Sequence, residues 1–105
     1  MYIGRIIGQV VSSKKDEHLH GHKLVLVRPE LVSSENPKTF ESGKNTIVAM
    51  DNLGAGEGEW VLFTQGSSAR KADGMKNVPV DAVVIGIVDS VHVEGHKTYP
   101  TPTQP

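Results

Sequence analysis

The chain has 105 residues, of which 37% are hydrophobic and 22% charged, the size and balance of one small globular domain. Its formal net charge of −1 argues against a general electrostatic attraction to nucleic acid or to an anionic membrane. The absence of cysteine excludes a disulfide framework, a thiolate-held cluster and a cysteine nucleophile. No apolar run is long enough to span a bilayer and no signal-peptide pattern is present, so we expect a cytoplasmic protein.

Short runs of β-branched and aromatic residues, separated by Gly, Pro, Asn and Asp, predict a mainly β protein. The first predicted strand covers residues 2–12, and its glycines Gly4 and Gly8 suit a strand that bends or lies close to another backbone. The second covers residues 23–28, and we expect it to be buried on both faces and to stop at Pro29, which lacks an N–H for a sheet.

The polar residues 29–45 predict a long surface excursion. Two further strands, residues 46–51 and 60–64, are predicted on either side of a glycine-rich loop. Residues 66–72 contain the only plausible helix, of one or two turns. The last strong apolar run, residues 82–93, predicts a central strand of the core.

Prolines spaced through polar residues 96–105 favour an extended, solvated tail. We therefore expect one domain over residues 1–95 and a separate C-terminal tail over residues 96–105. Several short strands and one short helix predict a small, partly closed, five-stranded β-barrel.

The loop of residues 54–58 contains three glycines, whose exposed N–H groups could in principle hold a phosphate. Its spacing is not that of a nucleotide-binding loop, and Glu57 and Glu59 would repel an anion. The favoured interpretation is a turn that needs positive φ angles or a closely packed subunit contact.

Three histidines, His18, His20 and His22, alternate in the way that a strand-borne metal site would require. Their polar neighbours and Gly21 favour a solvated loop instead, so they are weak metal candidates. Ser67 and Ser68 are not placed as nucleophiles, and helix capping is the simpler role. No acid, base or nucleophile is identified for an enzyme, and we expect no cofactor.

The chain resembles the bacterial microcompartment vertex family of the EutN/CcmL type. The resemblance covers most of the domain and depends on five motifs in the same order. These are Gly4 with residues 8–11, residues 19–27, residues 49–62, residues 66–70 and residues 79–89.

The resemblance implies a barrel related to the oligonucleotide-binding (OB) fold, assembled as a cyclic homopentamer that caps the corners of a polyhedral protein shell in the bacterial cytoplasm. It implies a structural role without catalysis, with hexamer-forming shell proteins as partners and with neither nucleic acid nor membrane. Two segments are the candidates for barrel closure or subunit contact. Their residues are Gly54, Gly56, Glu57, Gly58, Glu59, Gly66, Ser67, Ser68 and Arg70.

Two alternatives stay open from the residues alone. An OB-like module could bind single-stranded nucleic acid or a small ligand, although aromatic residues make up only 5% of the chain. A metal-dependent enzyme using His18, His20 and His22 ranks last.

Overall fold

The computed structural model describes residues 1–13, 15–19, 21–71 and 79–100, apart from the side chains of Ser67, Ser68 and Arg70. Over these residues the chain forms eight strands and two 3₁₀ helices. The strands are β1 (Tyr2–Val10), β2 (Lys23–Val32), β3 (Phe40–Ser42), β4 (Ile47–Asp51), β5 (Trp60–Gln65), β6 (Ala82–Ile87), β7 (Val91–Val93) and β8 (His96–Tyr99). The 3₁₀ helices are Glu17–Leu19 and Gly66–Lys71.

Five of the strands close into a barrel in the order β1-β5-β6-β4-β2, because β2 also pairs with β1. All of these pairings are antiparallel except that of β4 with β6. Strand β3 extends the sheet beyond β2, and β7 and β8 form a separate hairpin. The prediction of a mainly β, five-stranded barrel is confirmed.

The barrel interior is filled by aliphatic side chains around one aromatic ring. Phe63 is the largest fully buried side chain, and every barrel strand contributes to the same cluster. Its buried members are Ile6, Val25, Val27, Ala49, Ala55, Val61, Phe63, Ala82 and Val84. The barrel is therefore a packed core and not an open channel.

The glycines of β1 have the roles predicted for them. A Cβ atom on Gly4 would overlap the Val27 side chain and lie 2.8 Å from Cε1 of Phe63, so only glycine fits at this approach of two strands. The register between β1 and β2 shifts between Ile6 and Gly8, which is a β-bulge. Such bulges bend a strand and allow a small barrel to close.

Two predictions for β2 are wrong. The strand continues through Pro29 to Val32, because Pro29 needs no N–H there and its carbonyl accepts a 2.8 Å hydrogen bond from Gly43 N. The strand β2 is also not buried on both faces in the single chain. Val25 and Val27 point into the core, while the alternate residues Leu24 and Leu26 are only half-buried.

A second, smaller core lies outside the barrel, where the helix predicted after β5 covers it. The segment Gly66–Lys71 is a 3₁₀ helix, and its Ala69 is fully buried against Met50 and Val83. Among the described residues, neither helix is long or apolar enough to span a membrane.

Three other segments contain more structure than the sequence predicts. The surface excursion of residues 29–45 includes the end of β2 and all of β3. The single strand predicted over residues 82–93 is two strands, β6 and β7. Residues 96–99 of the predicted solvated tail form β8, where Thr98 is buried and its Oγ1 donates a 3.0 Å hydrogen bond to the Pro37 carbonyl.

Candidate subunit-contact surface

The loop between β4 and β5 is organised by one buried carboxylate. Asp51, the last residue of β4, is 2% exposed. Its Oδ1 accepts a 2.9 Å hydrogen bond from Leu53 N, and its Oδ2 accepts another of 2.9 Å from Ala55 N. An aspartate at a strand end commonly bonds to the backbone of the following turn, and this one fixes two residues of the loop.

Lys23 secures the same loop from the neighbouring strand β2. Its Nζ donates a 2.7 Å hydrogen bond to the Ala55 carbonyl and lies 3.8 Å from Oδ2 of Asp51. Ala55 itself is fully buried and belongs to the barrel core. The loop is therefore attached to the barrel by an ion pair, by hydrogen bonds and by the buried side chain of Ala55.

The second half of the loop is attached to the bulge of β1. Gly58 N donates to the Ile6 carbonyl at 2.7 Å, and Ile6 N donates to the Glu59 carbonyl at 2.9 Å. Glu59 Oε1 accepts a 2.7 Å hydrogen bond from Gly56 N. These contacts use the backbone N–H groups that a phosphate cradle would need.

The glycines of the loop differ in backbone conformation. Gly54 and Gly58 have φ angles of 78° and 91°, so the positive-φ turn predicted for this loop is confirmed at these positions. Gly56 has no such angle. Gly54, Glu57, Gly58 and Glu59 are exposed, which leaves a fixed loop with an open outer side.

The second candidate segment, residues 66–70, lies on the 3₁₀ helix after β5. Gly66 has a φ of 72° and donates a 2.7 Å hydrogen bond to the Asp81 carbonyl. Ala69 packs inward. The side chains of the other candidates in this segment, Ser67, Ser68 and Arg70, lie outside the described residues.

The histidine candidates do not converge in the described part of the chain. Nδ1 of His18 lies 3.0 Å from Oδ1 of Asp16, and Nδ1 of His22 lies 3.2 Å from Oδ1 of Asn52. No group of three or more His, Asp or Glu side chains able to hold a metal is found among the described residues. His20 lies outside them.

An aromatic cluster that the sequence did not predict joins the hairpin to the barrel. Trp60 stacks on Tyr99 of β8 at a centroid distance of 4.3 Å and meets Phe40 of β3 edge-on at 4.7 Å. The three rings come from positions up to 59 residues apart, and no local pattern signals such contacts. Because these rings pack on one another, they do not form a row of free faces on which bases could stack.

Glu30, also not singled out from the sequence, is a second buried carboxylate with structural partners. Its Oε1 lies 3.5 Å from Nε of Arg5 and accepts a 2.8 Å hydrogen bond from Ser42 Oγ. The ion pair joins β1 to β2, and the serine joins β3 to β2. This carboxylate ties the added strand to the barrel.

The fold and this surface define a small closed barrel of OB type whose ordered loops present an outward surface. The chain belongs to the EutN/CcmL family, described as ethanolamine utilisation protein EutN/carboxysome, because the family model matches residues 1–89.

Named relatives share most of their length with this chain. It is 43% identical over 99 residues to the carboxysome shell vertex protein CcmL of Gloeobacter violaceus, covering 94% of this chain and 93% of that one. It is 44% identical over 91 residues to the microcompartment shell vertex protein PduN of Salmonella typhimurium, covering 87% and 98%. The structure of the pentameric microcompartment shell protein GrpN of Rhodospirillum rubrum superimposes with a TM-score of 0.72 at 41% identity, covering 89% and 99%.

Proposed function

We propose that this protein is a structural shell protein that forms the homopentameric vertices of a bacterial microcompartment. The observation that carries the proposal is the likeness to GrpN, a pentameric shell protein that shares 41% of its aligned residues and the barrel over 89% of this chain. The vertex proteins CcmL and PduN support it at 43% and 44% identity.

A ring of five has a geometric purpose in a shell. A flat sheet of tiles with six neighbours each can close into a polyhedron only when some positions have five neighbours. A cyclic pentamer supplies those positions through heterologous contacts that close on themselves. The proposed partners are therefore further copies of this chain and hexamer-forming shell proteins, in the shell of a compartment in the bacterial cytoplasm.

The proposal assigns no catalytic chemistry to the chain. The two buried carboxylates have structural partners: Asp51 holds the loop after β4, and Glu30 pairs with Arg5. The barrel interior is apolar and filled. The proposal therefore gives both carboxylates structural roles in holding a loop and a strand.

We assign subunit contact to the two candidate segments, residues 54–59 and 66–70. The first supports this role because its backbone is fixed from both sides while Glu57 and Gly58 stay exposed. A preordered loop loses little conformational entropy when it packs against a neighbour. The second segment begins at Gly66, whose positive φ turns the chain out of β5.

Shell closure tests the proposed function directly. Hexamer-forming shell proteins of a microcompartment are produced with and without this chain, and the particles are examined by electron microscopy. Closed polyhedra are expected only when this chain is produced, and they should contain it. Closed polyhedra of the same kind without it, or exclusion of the chain from the particles, would contradict the vertex role.

A further inference from the structure

A cavity of about 350 Å³ lies where β1, β2 and β3 meet the hairpin strand β8. The residues that line it include Arg5, Glu30, Lys38, Phe40, Trp60 and Thr98, and we call it the Arg5 cavity. Small-molecule sites typically measure about 300–1,000 Å³, so this cavity has room for a small ligand. None of these residues is a candidate predicted from the sequence.

The sheet register brings two arginines together beside the cavity. Arg5 on β1 is the direct partner of Arg28 on β2, so the two side chains project from the same face of the sheet. Glu30, two residues after Arg28, projects from that face as well. Like charges directly opposite each other destabilise a pair of strands. Negative charge beside the two arginines is therefore favourable.

Glu30 alone does not balance the positive charge at the cavity. Its side chain is 4% exposed, and it is already engaged by Nε of Arg5 at 3.5 Å and by the Ser42 hydroxyl at 2.8 Å. Lys38, which is exposed at the cavity wall, adds a third cation. In the described part of the chain, neither Arg28 nor Lys38 forms an ion pair. The accessible charge of the cavity is therefore positive.

A buried nitrogen of Arg28 is a second, independent observation that indicates a ligand. Arg28 Nε is buried and has no hydrogen-bond partner among the described residues. Buried polar groups almost always have such a partner, and each exception needs an explanation. The N–H groups of a guanidinium bind most strongly to carboxylate and phosphate oxygens. An anion at this place would give Nε the acceptor that the described residues do not provide.

The cavity also has an apolar wall. Phe40 and Trp60, which meet edge-on at 4.7 Å, both line it. Ligand sites of this kind combine an apolar lining with a few polar groups that orient the ligand. The ligand that fits both features has an anionic group at one end and an apolar body at the other.

We propose that the Arg5 cavity binds a small organic anion. Its carboxylate or phosphate group contacts Arg5, Arg28 and Lys38, and its apolar body packs against Phe40 and Trp60. The inference goes beyond the proposed vertex role and does not depend on it, because every residue that it uses belongs to a single copy.

The fluorescence of Trp60 tests this binding, because Trp60 is the only tryptophan of the chain and lines the cavity. The purified protein is titrated with benzoate, with phenyl phosphate and with the neutral analogue benzamide, and free N-acetyltryptophanamide corrects for light absorbed by the probes. We expect a saturable change with benzoate or phenyl phosphate, and the tighter of the two identifies the preferred anionic group. Benzamide should give no saturable change. Isothermal titration calorimetry provides a readout that does not depend on Trp60.

Two variants test the residues that would hold the anion. Arg28→Gln should weaken binding about tenfold or more, because a hydrogen bond to a charged group is lost. Lys38→Gln should weaken it several-fold, because this lysine is exposed at the wall. The matched control is Lys71→Gln, which removes one positive charge from an exposed side chain that does not line the cavity and should keep the wild-type affinity.

The inference would be overturned if neither anion bound by fluorescence or calorimetry, or if benzamide bound as tightly as benzoate. It would also be overturned if Lys71→Gln weakened binding as much as Lys38→Gln, since the attraction would then come from the overall charge. Should Arg28→Gln fail to fold, Lys38→Gln decides the matter. The native mass, measured on the same samples, tests the proposed vertex role separately, so either conclusion can fail without the other.

Discussion

The interior of the barrel and its outer surface differ in how completely a single chain buries their apolar side chains. Inside, Phe63 and Val27 are fully buried and every barrel strand contributes to one cluster. Outside, Ile85 and Ile87 of β6 and the loop residue Leu53 keep 37%, 39% and 50% of their surface exposed. The interior thus specifies the fold of a single copy, while the outer surface keeps apolar side chains that the single chain leaves exposed.

This difference predicts two classes of variant. Changes inside the barrel, or in the contacts that fix its loops, should lower the free energy of unfolding of each copy. Changes on the outer surface should leave the fold intact and weaken assembly.

The largest effect is expected for Gly4→Ala, because the added Cβ overlaps Val27 and crowds Phe63. Overpacking a core commonly costs about 1–3 kcal/mol, and at this rigid approach of strands we expect about 3 kcal/mol or more. Chemical denaturation measures it. The matched control is Gly8→Ala on the same strand, where the nearest atom is 3.7 Å away and a change within about 1 kcal/mol is expected. Equal stability of the two variants would contradict the packing described for β1.

Asp51→Ala should cost about 2–3 kcal/mol, because hydrogen bonds to a charged group contribute most when that group is buried. Two loop N–H groups lose their acceptor, and Lys23 loses its carboxylate neighbour. Asp51→Asn retains one acceptor oxygen and should be intermediate in thermal unfolding. If Asp51→Asn matched the wild type, neither the charge of the carboxylate nor its second accepted hydrogen bond would contribute to stability.

Tyr99→Ala should destabilise the hairpin more than the barrel. The stacked pair with Trp60 contributes about 0.5–1.5 kcal/mol beyond area burial. We expect faster hydrogen exchange in β7 and β8 with little change in β4 and β5. Tyr99→Phe keeps the ring and is the control; uniform exchange changes across the chain in Tyr99→Ala would indicate that the hairpin is part of one cooperative unit.

The smallest effects are expected within the glycine loop. Gly58→Ala forces an alanine into a positive φ and should cost about 1 kcal/mol. Gly56→Ala should cost less, because its Cβ would meet only the flexible end of Glu59, at 3.3 Å. Thermal unfolding of the pair checks the order, and the reverse order would show that Glu59 is held more firmly than its exposure suggests.

The sequence predicted the barrel where local patterns decide the structure. Runs of β-branched residues identified β1, β4 and β5, and the clustered glycines identified the turn at Gly54 and Gly58. The end of β2 was predicted wrongly at Pro29. Whether a strand needs an N–H at one position depends on which neighbouring strand pairs with it there. The hairpin after β6 was missed for a similar reason, because Thr98 and Tyr99 are secured by residues far away in the chain.

The candidate contact surface was harder to predict from the sequence. Asp51 at a strand end signals a bond to the next turn, but its two backbone partners and Lys23 appear only when β2 lies beside β4. The exposed isoleucines of β6, Ile85 and Ile87, have no local signature, because the sequence around a strand isoleucine does not show whether its side chain faces the core or the outside of the barrel. Only the closed barrel shows which side chains point inward and which point outward.

The most direct test of the account is the native mass of the purified chain, measured by native mass spectrometry over a range of concentrations. The account predicts a discrete species of five copies, which at 11.3 kDa each is about 56 kDa. A chain that remains a monomer or a dimer at all concentrations would contradict it, because neither supplies a position with five neighbours.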